Sequence, residues 1–269
     1  MAASKVKVVL SGQGADEPLG GYTKYKALPA IDFLARTHIS PRLFRFCSKY
    51  IRHKSLRRIL SSAGNSNDIH AYFEFNSLFG EHAMQQLMNK KEAKLTSMKF
   101  DSSLNQFQNV LENKNNLPNF RSELFLYLDT RTKLPETLLN YTDKITMHFA
   151  LECRVPMLDN DLVAFIESLP RDYRYTFRHS KIIHKEFARE YLPDEIINRK
   201  KLAFHSPSKS YFIDHAPMVK EWILQNKNEF FWNVFDKEHV IHMIDEHAQY
   251  GNNEKELILI ISALFLTSN

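Results

Sequence analysis

The stretch Lys7-Val8-Val9-Leu10-Ser11-Gly12-Gln13-Gly14-Ala15-Asp16-Glu17-Pro18-Leu19-Gly20-Gly21-Tyr22 constrains the fold more than any other part of the chain. An apolar, β-branched run that breaks into Ser-Gly-x-Gly and then an acidic pair reads as a buried strand delivering a tight loop to the carboxyl edge of a sheet. That edge is where open α/β folds bind ligands. Four of the seven glycines fall here, so the backbone freedom that the rest of the chain forgoes is concentrated in one loop. Gly12 and Gly14 let N–H groups approach an anion closely and allow positive φ, while Asp16 and Glu17 are placed to meet a divalent cation or a cationic substrate group. Together they point to a nucleotide or pyrophosphate site. The other reading of the same residues is a strand-to-loop turn with a carboxylate capping a helix.

Composition bounds the alternatives. With 269 residues, 43% hydrophobic and 25% charged, the chain suits a soluble globular protein of one or two domains. Cys47 and Cys153 give neither a disulfide framework nor a zinc spacing, which points to a reducing cytoplasm. No leader is recognisable, and no apolar run reaches the roughly 18 residues of a membrane helix. Leu257 to Leu266 comes nearest and is expected to be a buried terminal helix. The net charge of +5 invites a nucleic-acid reading. Arg42, Arg45, Lys49 and Arg52 share one helix face, Leu43, Phe44, Phe46, Tyr50 and Ile51 occupy the other, and Lys54, Arg57 and Arg58 extend the basic surface. With no recognised binding module, such a face is expected to be solvated or to pack on an acidic neighbour or on a domain absent here, so neither nucleic acid nor a membrane is expected as a partner.

Taken in order, Tyr22 to about Ser61 alternates apolar and basic residues at helical spacing, with Pro29 and Pro41 as breakers. Ser61 to Asp68 reads as a polar connector, Ile69 to Lys94 as helical, and 97–119 as short helix and loop. Leu126 to Leu139 reads as a helix cut by Pro135. Glu152 and Arg154 stand either side of Cys153 in an apolar context before a proline that ends a helix, so they need partners, and a structural ion pair would supply them. Cys153 is expected to be buried and inert. Lys144 is a solvated lysine if alone and a phosphate ligand if it lies beside an anion loop. His239, His242 and His247 share one helix and are expected at its surface. His179, His184 and His205 read as loop histidines near Lys201, and Phe230-Phe231-Trp232 reads as a packing cluster.

The longer string Ser11 to Tyr22 resembles the loop of the synthetase domain in the glutamine-dependent asparagine synthetases, Ser-Gly-(Glu or Gln)-Gly-(Ala, Gly or Ser)-Asp-Glu-x-x-(Gly)-Gly-Tyr. The family's further motifs follow in order: Leu134-Pro135-Glu136-Thr137-Leu138-Leu139, then Asp143-Lys144-Ile145-Thr146-Met147, then Leu151-Glu152-Cys153-Arg154-Val155-Pro156-Met157-Leu158-Asp159, where Met157 replaces the more usual Phe. From Lys181 onward, Tyr191-Leu192-Pro193-Asp194-Glu195-Ile196-Ile197-Asn198-Arg199-Lys200-Lys201-Leu202-Ala203-Phe204 answers the last of them.

The resemblance implies an adenine nucleotide alpha-hydrolase-like α/β fold with a Rossmann-like sheet, of which this chain would be mostly α-helical with one N-terminal strand. It implies ATP-dependent amidation of aspartate, or another carboxylate, through an acyl-adenylate, with Mg2+, release of AMP and pyrophosphate, and ammonia drawn from glutamine. Ser11, Gly12 and Gly14 would line the ATP site. Asp16, with Glu17 nearby, would serve magnesium and pyrophosphate. Gln13 stands where glutamate is common in the family and would act at the acyl-adenylate, Lys144 and Lys201 would meet phosphate, and Glu152, Arg154 and Asp159 would shape the acyl pocket or its surroundings. No counterpart of the family's glutaminase domain, or of its Ser-Gly-Gly-x-Asp-Ser loop, is present. Residues 1–269 are therefore expected to be the C-terminal portion of such a synthetase domain, inactive alone, with the edge at Val6 to Leu10 open to a separate chain that supplies the missing half. A related amide- or lactam-forming ligase and a non-catalytic fragment are the alternatives.

Overall fold

In the computed structural model, which describes residues 2–51, 53–79, 81–89, 120–199 and 207–267, Val8–Leu10 forms a strand, β1, as the apolar run predicts, but it is not the buried strand expected: Val8 and Leu10 are exposed and Val9 is half-buried. Its partner lies far along the chain. Glu152–Arg154 forms a second strand, β2, and the two pair in parallel with Val8 opposite Glu152, Val9 opposite Cys153 and Leu10 opposite Arg154. Two expectations are corrected here: Glu152 to Arg154 is not the end of a helix, and β1 does not stand without a sheet partner in its own chain. Charged residues two apart suit the period of a strand, and the intervening helices supply the crossover that a parallel pair requires. Glu152 and Arg154 do pair, at 2.7 Å, but both side chains are exposed, and Cys153 is only half-buried.

The chain is mostly helical around this small sheet and divides into two compact units, Met1–Phe75 with Asn109–Lys200 and Asn76–Gln108 with Lys201–Asn269. In the first, α1 (Leu28–Arg36) and α2 (Pro41–Tyr50) carry proline in their first turn, so Pro29 and Pro41 start helices where a missing N–H costs nothing. Helix α3 (Lys54–Ala63) absorbs Ser61 and Ser62 from the expected connector. Asn67 then opens α4 (Asp68–Asn76), its Oδ1 accepting the N–H groups of Ile69 and His70. In α2 only Phe44 and Ser48 are buried; Leu43, Phe46 and Tyr50, which the sequence places opposite the cations, face solvent as well. Arg52 lies outside the described residues.

Helix α5 (Phe120–Leu128) is apolar through its middle, and Leu124, Phe125, Leu126 and Leu128 are all buried. The Phe125 ring lies 5.5 Å from that of Tyr72 and 5.4 Å from that of Phe75. Pro135 does not cut the run that follows. Helical geometry continues through π turns at Asp129–Lys133 and Pro135–Leu139 into α6 (Asn140–His148). A π turn bonds five residues back, which opens room for a ring that would strike the carbonyl four residues back in an α-helix. Threonine hydroxyls take up freed carbonyls: Thr130 bonds Leu126 O and Thr132 bonds Leu128 O, both at 2.7 Å.

Where these wide turns begin, the fully buried Asp129 accepts hydrogen bonds from Lys24 Nζ, from the Tyr25 hydroxyl at 2.6 Å and from the Tyr72 hydroxyl at 2.7 Å. Burial pulls the Lys24 ammonium down to about 8, and the attraction of Asp129 offsets this only in part. A lysine held below its ordinary 10.5 loses its proton sooner in the folded state, so the cost of its charge is fully present below about pH 8 and is relieved above it. Stability should therefore rise from about pH 8 toward 10.5. Burial and Asp129 hold Tyr25 and Tyr72 well above their ordinary 10.0, so their opposing contribution begins only at the top of that window. The check is the urea midpoint of the native chain and of Lys24→Met on either side of pH 8: the variant should lack the rise, and parallel curves would refute the assignment.

The second unit gathers helix Glu81–Leu87, α7 (Ser208–Asp214), α8 (Ala216–Gln225), α9 (Glu229–Val234), α10 (Lys237–Tyr250) and α11 (Glu254–Thr267). Their core includes Leu87, Val219, Ile223, Phe231, Val240 and Ile244. In α11 the Leu257, Ile260 and Leu264 face is buried as expected, while Phe265 and Leu266 are exposed. His247 departs from its expected surface position: it is fully buried in α10, and its Nδ1 accepts the Asn253 N–H at 2.9 Å. Phe231 is core, whereas Phe230 is exposed. The helical signal beyond Asn89, the segment 97–119 and Lys201 lie outside the described residues. Among the described residues no helix is long and apolar enough to cross a membrane.

Candidate active site

The backbone leaving β1 continues the ladder for one more step, Ser11 N–H donating to Arg154 O at 2.9 Å, and then turns. Ser11 Oγ accepts the Gln13 N–H at 3.3 Å, which closes the first turn of the loop. Gly12 faces open space, since a Cβ there would meet nothing within 4 Å. Gly14 has φ +83°, and a Cβ would lie 2.3 Å from the Leu158 side chain. The positive φ expected of both glycines is thus found at Gly14, and the clear approach to backbone N–H groups at Gly12.

The Gln13 side-chain amide and the Thr142 hydroxyl of α6 are bonded at 2.7 Å. This contact brings the glycine loop against the turn of helix that bears Asp143 and Lys144, both exposed. A glutamine here is neither charged nor a base, but its amide holds loop and helix together while leaving further hydrogen-bonding capacity.

Sequence treats Asp16 and Glu17 as a pair, and the structure separates them. Glu17 is buried with 2% of its surface exposed; one carboxylate oxygen accepts the Tyr22 hydroxyl at 2.8 Å, and burial pushes its carboxyl above the ordinary value. Asp16 remains accessible and pairs with Lys181 Nζ at 3.0 Å. Lys181 sits in the left-handed region with φ 54°, just ahead of helix Ile182–Ala188, and its N–H donates to Leu19 O at 3.3 Å. Sequence reading took Lys181 only as the start of a motif; nothing local to it points to Asp16. His184 is half-buried nearby, and burial followed by the charge of Lys181 holds its imidazole below the ordinary value.

Gly21 donates its N–H to Asp16 O at 2.7 Å, and a Cβ at this position would lie 2.0 Å from Asp16 Oδ1 and 2.4 Å from Lys181 Cε. Gly21→Ala should therefore separate the Asp16–Lys181 pair while leaving the helices folded. Circular dichroism should match the native chain, and nucleotide binding, followed by calorimetry with ATP and magnesium, should fall at least tenfold, the equivalent of about 1.4 kcal/mol.

Asp159 caps helix Asn160–Ser168, accepting the N–H groups of Asp161 and Leu162. Glu152 and Arg154 are engaged with each other on β2. Among the described residues no group of three His, Cys, Asp or Glu side chains could hold a metal by itself. Asp16 beside an open glycine turn does suit magnesium, which takes one or two protein carboxylates together with phosphate oxygens and water.

Three comparisons bear on this geometry. A family model described as asparagine synthase matches residues 1–267. The chain is similar to asparagine synthetase (glutamine-hydrolyzing) 1 of Bacillus subtilis, at 22% identity over 271 residues, 97% of this chain and 40% of that protein. It is similar to a putative asparagine synthetase (glutamine-hydrolyzing) of Mycobacterium tuberculosis, at 27% over 250 residues, 91% of this chain and 36% of that one. Amidase chyE of Penicillium rubens is 24% identical over 233 residues, 77% of this chain and 33% of that protein. The chain thus spans well under half the length of these curated relatives. No solved structure matches.

Proposed function

The chain belongs to the asparagine synthase family, and from that membership we propose that it carries the part of an ATP-dependent amide synthetase that grips pyrophosphate and the acyl group. The observation that carries this reading is the accessible Asp16–Lys181 pair at the mouth of a glycine turn with open space at Gly12. The substrate would be aspartate, converted to asparagine within an adenine nucleotide alpha-hydrolase-like fold.

A carboxylate oxygen attacks the α-phosphorus of ATP and the bond to the bridging oxygen breaks, giving acyl-AMP and pyrophosphate. Ammonia, drawn from glutamine, then adds to the acyl carbon, loses a proton and expels AMP. Backbone groups at Ser11 and Gly12, with Gly14 shaping the turn, cradle the nucleotide. Asp16 would hold magnesium, which when bound would neutralise charge developing on pyrophosphate. Lys181 and Lys144 supply positive charge to the leaving group, and the resemblance gives Lys201 the role of a phosphate contact. Gln13, steadied by Thr142, hydrogen-bonds the acyl-adenylate, and buried Glu17 holds the loop from behind through Tyr22. Gln13 in place of a charged glutamate favours, as a second reading, a related amide- or lactam-forming ligase acting on another carboxylate.

The two-stranded sheet supports a further part of the proposal. Parallel sheets are normally covered on both faces and built from more strands. Here Val6, Val8 and Leu10 are exposed. Additional strands and their crossover helices, from a longer form of this polypeptide or from a separate chain, would extend the sheet, cover this face and complete the ATP site.

The test is pyrophosphate release with ATP, magnesium, aspartate and ammonia, run on this chain and on longer polypeptides that contain it. Aspartate-dependent release supports the proposal; release with other carboxylates but not aspartate moves it to the second reading; ATP binding without release in every form would overturn it.

A further inference from the structure

We propose that α2 and α3 dock this protein on a membrane surface that carries anionic lipid, lying in the interface rather than crossing it. Between Asp32 and Asp68 the sequence has no Asp or Glu but eight Lys and Arg, so this segment carries +8, and the other 28 basic and 31 acidic residues leave the rest of the chain at −3. Apart from Arg36 at the end of α1, these cations lie between Pro41 and Ala63, on α2, α3 and their connection, so the net positive charge of the protein comes from this segment.

Helix α2 packs inward through Phe44 and Ser48. On its outer side Leu43, Phe46, Cys47 and Tyr50 recur at i, i+3, i+4 and i+7, with Leu43 52%, Phe46 58% and Tyr50 73% exposed. The Phe46 and Tyr50 rings touch, with centroids 5.1 Å apart. Arg42, Arg45 and Lys49 form the adjacent row; all are exposed, and none enters an ion pair among the described residues. Leu56 and Arg57, exposed on α3, add the same two characters.

A face meant only for water would carry polar residues at 43, 46 and 50. A nucleic acid or an acidic peptide would use the cations and leave this aliphatic and aromatic stripe without a role. An anionic bilayer takes both: apolar side chains enter the boundary of the acyl chains, tyrosine stays at headgroup level, and arginine and lysine meet lipid phosphates and carboxylates. A helix that lies flat needs none of the length of a membrane span.

The experiment is co-sedimentation of the full chain with vesicles of phosphatidylcholine alone and of phosphatidylcholine with phosphatidylserine. Binding is expected only to the second, and it should weaken as salt is raised. Removing two cations with Arg45→Gln and Lys49→Gln should weaken partitioning about thirtyfold, and Phe46→Ser with Tyr50→Ser should weaken it at least tenfold. All four side chains are exposed, so native melting temperatures should be kept. The proposal is overturned if neither vesicle binds, if the apolar pair has no effect while the chain retards an RNA oligonucleotide through its cations, or if Phe46→Ser with Tyr50→Ser instead breaks a dimer seen by sedimentation velocity.

Discussion

Asp129→Asn is expected to destabilise the chain by about 3–5 kcal/mol, the typical cost of removing one partner from a buried charged network. The carboxylate accepts from an ammonium and two phenols and is itself fully buried. An asparagine amide keeps one acceptor oxygen but turns an NH2 group toward an ammonium that cannot accept and two phenols that would have to reverse from donating to accepting. Lys24 then loses the attraction that partly offsets the effect of burial on its proton affinity. Removing both partners should cost less than the sum of the single changes, so Lys24→Met combined with Asp129→Asn should recover part of the loss. Urea unfolding of the two single variants and the double variant measures this. A loss below about 1 kcal/mol for Asp129→Asn would mean that Asp129 is no more than an ordinary hydrogen-bond acceptor.

The second large effect concerns chemistry rather than stability. Asp16→Asn should lower pyrophosphate release roughly a thousandfold, equivalent to about 4 kcal/mol of lost transition-state stabilisation, in whichever form of the polypeptide carries the activity. Stability should change by less than about 1 kcal/mol, because the Asp16 and Lys181 side chains both keep about a quarter of their surface exposed and water screens their attraction. Raising the magnesium concentration should not restore the rate, since asparagine gives the ion only a neutral oxygen. A rate within tenfold of the native enzyme would remove Asp16 from the proposed metal site.

The features legible in the sequence were those set by neighbours along the chain. A β-branched run ending in Ser-Gly-x-Gly announces a strand and a loop, and both are present. Asn67 and Asp159 cap the helices that follow them, a signal that lies within three residues. What was not legible depended on partners distant in sequence. Glu152, Cys153 and Arg154 form a strand because Val8 to Leu10 lie beside them, and three residues alone cannot declare that. Asp129 reads as one polar residue among many until Lys24, Tyr25 and Tyr72 converge on it. Asp16 and Glu17 look equivalent as adjacent carboxylates, yet one meets solvent and Lys181 while the other is sealed against Tyr22. Periodicity gives α2 two faces without saying which is covered, and of its apolar residues only Phe44 is buried.

The wide turns between Asp129 and Leu139 also set an angle. Each residue of an α-helix turns the next by about 100°, and a π turn takes in an extra residue before its hydrogen bond closes. Thr142, which meets Gln13, therefore owes its orientation to how many residues are spent upstream of it. Deleting any one of them would swing Thr142 and Lys144 about 100° around the axis without altering a single residue of the glycine loop. The segment works as a keyed joint: conservative replacements along it should be absorbed, whereas a change in its length would misalign the two halves of the site.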